Sequence, residues 1–178
     1  VVTAGFTIPM TWFFSLTPLL VFLITPWLVR AWTRQARMGR EPPALRKMAI
    51  GAAVVGGAFA LVAVLGGTPA AQVGWLWAAL FFLVFTFGEL FILPVGLGLF
   101  ARLAPVGFGA TIIAAWFLAS FGGNLLAGAA GTLWSRASVH GFFAAMAGVC
   151  VVVALLLWRL EPRARPLLAR SAVDPQMH

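Results

Sequence analysis

Polar residues are rare along this chain, and where they fall divides it into five apolar stretches: 8–29, 48–65, 73–100, 108–133 and 139–158. Each is close to the roughly 20 predominantly apolar residues that a helix needs to cross a hydrocarbon core. None alternates polar and apolar positions as a barrel strand does. At that depth every backbone N–H and C=O must be satisfied inside its own segment, so five transmembrane α-helices are predicted. RAWTRQARMGREPPALRK (30–47) joins the first two spans, and Pro42-Pro43 breaks any helix within it. A charged tail, 159–178, follows the fifth.

Composition turns this pattern into a class. The chain is 62% hydrophobic and 9% charged, with a mean hydropathy of +1.03, whereas a soluble domain carries about 25% charge. It is an integral membrane protein. The net charge of +8 belongs to residues at the ends of apolar runs, which is the arrangement of membrane anchoring and not of nucleic-acid binding. Arg30, Arg34, Arg37, Arg40, Arg46, Lys47, Arg102, Arg159, Arg163, Arg165 and Arg170 fall on one side, and Arg136 falls on the other. The positive-inside rule then predicts a cytoplasmic loop at 30–47 and a cytoplasmic tail at 159–178. The loop's basic residues are expected to meet anionic lipid headgroups. The chain starts outside, has an odd number of spans and shows no signal peptide, so it is expected to be the tail of a longer polypeptide. Cys150 has no partner cysteine and reads as a small hydrophobe.

Of the four acidic residues only Glu89 lies deep inside an apolar run; Glu41, Glu161 and Asp174 lie in charged connecting or terminal segments. A carboxylate near the bilayer centre costs about 2.5–3.5 kcal/mol on insertion scales. Glu89 therefore marks a ligand or proton site, or else a buried neutral acid bonded to a neighbouring helix. The spans hold no Asp, no His- or Cys-rich metal cluster and no nucleophile–base pair, so neither an enzyme nor a metal site is expected.

Helical spacing puts Phe82, Thr86, Glu89, Leu93 and Gly96 on one face of the third span. Gly88, Pro94, Gly96 and Gly98 around the acid predict a kinked or locally opened helix, with Glu89 facing inward. On the fourth span Trp116, Ser120 and Asn124 share a face, with Asn124 expected to bond across to another helix. Gly123, Ala127 and Gly131 form a small-residue ridge beside it that would admit a close neighbour. Thr11 and Ser15 line the first span, with Thr17 beside Pro18. Ala52, Gly56 and Ala60 mark the second as a packing helix. His140 is expected to be a solvated residue near the outer interface.

The run GELFILPVGLGLFARLAP (88–105), followed by AAWFLASFGGNLLAG (114–128), resembles the proton-dependent oligopeptide transporter family of the major facilitator superfamily. The tenth helix of that family reads G-E-L-x-x-S-P-x-G-L and ends at L-A-P; its eleventh carries W-F-L-A and then G-N-x-x-A-G. The opening stretch resembles the family's eighth helix, whose pattern is closer to S-x-N-P-x-x-I. The resemblance covers residues 7–160 and implies an all-α membrane protein that is a partial C-terminal bundle of a major facilitator fold, helices eight to twelve. The derived direction of the first, third and fifth spans, outside to inside, is that of even-numbered helices in such a fold.

By that resemblance Glu89 matches the glutamate that binds the peptide's amino group, and Trp116 matches the cavity tryptophan. Thr17 stands where the family has asparagine and Leu93 where it has serine, so both remove polar reach; Asn124 falls in the G-N motif. The implied function is the C-terminal part of a proton-coupled di/tripeptide symporter working by alternating access in the cell membrane, a bacterial inner membrane. Its partners would be a di/tripeptide or similar small substrate, membrane lipid and the missing N-terminal helix bundle of the same polypeptide. The proton would be the coupling ion, with no further cofactor. A proton-coupled facilitator for a non-peptide substrate and a small structural membrane protein are the alternatives.

Overall fold

The computed structural model describes the backbone of residues 2–3, 6–7, 10–66, 75–104, 107–132, 134 and 138–173, and the side chains of 15–66, 75–104, 107–132, 134 and 138–164. A two-residue antiparallel ladder, β1 (Val2–Thr3) with β2 (Phe6–Thr7), precedes the helices. Five helices follow: α1 (Met10–Arg37), α2 (Ala44–Leu65), α3 (Trp75–Leu103), α4 (Gly109–Gly131) and α5 (Val139–Val173). All five are long and apolar enough to cross a membrane. Arg136, Asp174 and the side chains of Thr11, Arg165 and Arg170 lie outside the described residues, as do positions 8–9, 73–74 and 133 at the ends of the apolar runs.

The helices outrun the apolar stretches. α1 continues through the first eight residues of the predicted loop, and α2 begins at Ala44, so the connection shrinks to 38–43. Arginine is a good helix former, and Arg34 and Arg37 lie in the last turn of α1, where they favour the negative carbonyl end. Gly39, at φ 63°, supplies the left-handed residue that closes α1, with Arg40 N–H donating to the Gln35 carbonyl at 3.0 Å. Pro43 sits at the N-cap of α2, where its missing N–H costs nothing. The predicted tail is likewise helical as far as Val173.

α2 is the centre of the bundle. It packs on both α3 and α5, while α1 and α4 each rest on α3. The buried alanines and valine Ala49, Ala52, Val55, Ala58 and Ala63 all belong to α2. Small residues bring the backbones together: a Cβ on Gly51 would lie 2.8 Å from the Gly88 carbonyl, and one on Gly56 would lie 3.1 Å from Cys150 Cβ. α2 is thus the packing helix its small residues predict, although Ala60 itself is exposed. Phe59, Phe81, Phe85 and Phe143 interlock α2, α3 and α5 with ring centroids 5.6–6.1 Å apart.

Two packing expectations are corrected. α3 is one continuous helix through Glu89, not locally opened; Gly88 and Gly96 serve close packing instead. The ridge of Gly123, Ala127 and Gly131 meets no described helix: a Cβ on Gly123 or Gly131 would find nothing within 4 Å. α4 leans on α3 through Trp116, near its start, and this leaves its second half clear of the bundle.

Candidate functional site

Glu89 lies halfway along α3, and the neighbours of α3 fix its direction. Toward α2, Gly88 sits against Val55 and the Gly51 carbonyl. Toward α1, Phe91 meets Trp32 edge-on, ring centroids 5.4 Å apart. Toward α4, Trp116 covers Gly96 and meets Phe100 at 5.2 Å. Glu89 precedes Gly96 by seven residues and Phe100 by eleven, so it shares their stripe and projects toward the side of α3 that carries α4.

The carboxylate is half-buried and has no hydrogen-bond or ion-pair partner among the described residues. The nearest basic residue on α3 is Arg102, about 20 Å further along the axis at 1.5 Å per residue. The alternative of a carboxyl bonded to a neighbouring helix finds no partner among these residues. What stands there is an acceptor group free to take a donor from outside the bundle.

The other candidates distribute unevenly. Leu93, one turn beyond Glu89 on the same stripe, is 52% exposed and contributes apolar surface. Trp116 is half-buried and stands two turns away along that stripe. Ser120, expected beside it, uses its hydroxyl within α4, donating to the Trp116 carbonyl at 3.0 Å. Asn124 is exposed and, contrary to expectation, bonds to no other helix among the described residues, because α4 has left α3 by that level. Thr17 lines a separate groove of about 880 Å³ on α1 with Pro18, Val21, Phe22, Thr25 and Pro26, and no described contact joins it to Glu89. Glu89, Leu93 and Trp116 thus form one surface, to which Thr17 and Asn124 are peripheral. No group of His, Cys, Asp and Glu among the described residues could hold a metal ion.

Two polar features escape a sequence reading. Lys47 is not a headgroup contact: it is 6% exposed, paired with Glu41 across the Pro42-Pro43 turn, with its ammonium 4.4 Å from the centre of the Trp32 ring. A cavity of about 440 Å³ opens beside this pair and reaches Pro94 and Arg102 of α3. The only advance signal was opposite charges flanking a turn. His140 is exposed, but its Nδ1 lies 2.8 Å from the Ala63 carbonyl and so ties the start of α5 to the end of α2.

Comparison with known proteins places the chain as a whole. The chain is 31% identical over 158 residues to the di-/tripeptide transporter of Lactococcus lactis subsp. cremoris, covering 86% of this chain and 31% of the relative. It is 31% identical over 169 residues to the peptide transporter YePEPT of Yersinia enterocolitica subsp. palearctica, covering 86% and 32%. The crystal structure of peptide transporter POT in complex with sulfate superposes on 95% of this chain and 33% of its own, with a TM-score of 0.83 and 26% identity. The chain therefore spans about a third of the length of these relatives. These relatives are transporters, and the shared fold is that of a multi-pass, all-helical membrane protein of the major facilitator type. Residues 2–150 match the model of the POT family, and the chain belongs to that family.

Proposed function

We propose that this chain is the C-terminal part, helices eight to twelve, of a proton-coupled di/tripeptide symporter, in which Glu89 binds the substrate's amino group. One observation carries the reading: a half-buried carboxylate at the midpoint of α3 with no partner among the described residues. Such a group is costly in hydrocarbon and useful where an ammonium ion completes it, because a desolvated, charge-assisted hydrogen bond is a strong one. Trp116 and Leu93 supply apolar surface to either side for the peptide's body. The rest of the site belongs to the other helices of the carrier, which moves against this bundle to expose the midplane alternately to each side. The coupling proton occupies carboxyl groups of that cavity. The carrier sits in the bacterial inner membrane with the 38–43 turn and the end of α5 in the cytoplasm, as the arginine distribution directs.

Glu89→Gln in the full-length carrier, reconstituted in liposomes, tests this. The substitution keeps the shape and removes the charge. A charged hydrogen bond is worth about 1.5–3 kcal/mol, so dialanine uptake at low concentration is expected to fall at least tenfold with unchanged expression. Wild-type uptake by that variant refutes the role.

Leu93 favours a second reading. A leucine that is 52% exposed next to the carboxylate offers no hydrogen bond to a peptide backbone, which suits a facilitator for an amine with an apolar body. Competition of uptake by di- and tripeptides separates the two: failure of both to compete selects the non-peptide substrate.

A further inference from the structure

Among the described residues Thr86 is the largest side chain to be completely enclosed, at 0% exposure, and its hydroxyl oxygen has no hydrogen-bond partner there. This is unusual within the chain itself. Thr25 donates to the Val21 carbonyl at 2.6 Å, Thr33 to Val29 at 3.0 Å, Ser120 to Trp116 at 3.0 Å and Thr132 to Ala129 at 2.7 Å. The preceding turn of helix is the ordinary outlet for a hydroxyl at this depth, and Thr86 does not use it. A buried hydroxyl left unpaired is destabilising, and valine would fill the same space without that cost.

The partner that completes it is one turn away. Thr86 and Glu89 stand at i and i+3, where Cβ atoms are about 5–6 Å apart, and the glutamate side chain spans that gap by rotation. Glu89 is in turn without a partner among the described residues. Two complementary orphans therefore sit on one helix face, one fully enclosed and one half-open. We infer that Thr86 is a positioning residue for the substrate-binding carboxylate. Its hydroxyl donates to one carboxylate oxygen from the protein side and turns the other oxygen toward the incoming ammonium group. The carboxylate then meets its guest in a single orientation instead of several.

This inference rests on the role of Glu89 proposed above, and the tests keep the two apart. Thr86→Val and Thr86→Ser are made in the full-length carrier, and dialanine uptake is measured in proteoliposomes. Removing a hydrogen bond to a charged group is expected to raise KM about tenfold or more while leaving the maximal rate within about twofold. Serine, which keeps the hydroxyl, returns KM to near the wild-type value. Adding Thr86→Val to Glu89→Gln changes nothing further, because there is no carboxylate left to orient. A purely packing role predicts the reverse: Val tolerated, Ser defective through its missing methyl. Wild-type KM in the Val variant, or equal defects in Val and Ser, overturns the inference even where Glu89→Gln abolishes uptake. If the Val variant does not fold, Thr86→Cys decides, since a thiol of similar size donates weakly and must give the same rise in KM.

Discussion

The α2–α3 contact beside Glu89 can be tested at a single atom. A Cβ on Gly88 would lie 2.7 Å from Val55 Cγ2, 2.9 Å from the Gly51 carbonyl oxygen and 3.0 Å from Val55 N, against about 3.5–4.0 Å for an unstrained carbon contact. Val55 is β-branched and held in one helical rotamer, and the other two atoms are α2 backbone. None of the three yields alone, so Gly88→Ala must push the helices apart. Overpacking of this kind costs about 1–3 kcal/mol, and the better helix propensity of alanine returns up to about 1 kcal/mol. Gly98→Ala removes that ambiguity: it lies in the same helix, would touch nothing within 4 Å, and gains the propensity without the clash. The difference between the two variants is therefore expected to be the full 1–3 kcal/mol, roughly 5- to 150-fold in the folded-to-unfolded ratio. Thermal unfolding of the full-length carrier in detergent measures it. Gly51→Ala, from the opposite side, is expected to cost a similar amount, and the double variant less than the sum, because one separation accommodates both. Equal stability of the Gly88 and Gly98 variants would refute the close contact.

The Glu41–Lys47 pair should respond asymmetrically. Glu41→Gln strands a nearly buried ammonium and is expected to lower stability by about 1–3 kcal/mol, whereas Lys47→Met leaves a carboxylate that is 44% exposed to water and is expected to cost less; detergent melting that ranks them the other way contradicts the assignment. The orientation of the bundle can be read by thiol labelling in a Cys150→Ala background. Leu93→Cys, beside Glu89, is expected to react with a membrane-impermeant, water-soluble maleimide, and Val152→Cys on α5, 56% exposed and expected to face acyl chains, is expected to resist it; resistance of Leu93→Cys equal to that of Val152→Cys would place Glu89's face in lipid.

How much of this was legible in the sequence depends on what each feature requires. The five helices follow from apolar length alone, and the packing role of α2 from Ala52 and Gly56, because both are properties of one segment. The ends of α1 and α5 were not, since arginine both marks the membrane edge and continues a helix, and hydropathy registers only the first effect. Glu89 stood out because a charge in an apolar run needs no partner to be noticed. Lys47 did not, because its burial depends on a turn that folds Glu41 back over Trp32, and in sequence it is one more basic residue in a basic loop. Asn124 failed in the opposite sense: a polar residue in a span suggests a cross-helix bond, but only the departure of α4 from α3 shows that no described neighbour stands there.

The same packing explains how a carboxylate can be well placed and still open toward its guest. Most buried charges are held by the hydrogen bonds they make, and a guest must then compete with those bonds. Glu89 is held otherwise. Gly88 presses on the α2 backbone, Phe91 on Trp32, and Gly96 lies under Trp116, so the helix is clamped on both sides of the acid along its length. The backbone sets the position, the Thr86 hydroxyl engages at most one carboxylate oxygen, and the outward acceptor stays available. Binding an ammonium group there breaks no protein hydrogen bond and orders little that is not already ordered, which is the condition under which a single charged contact contributes most to affinity. It follows that loosening the clamp at Gly88 should weaken substrate binding as well as the fold, even though Gly88 has no side chain to offer the substrate.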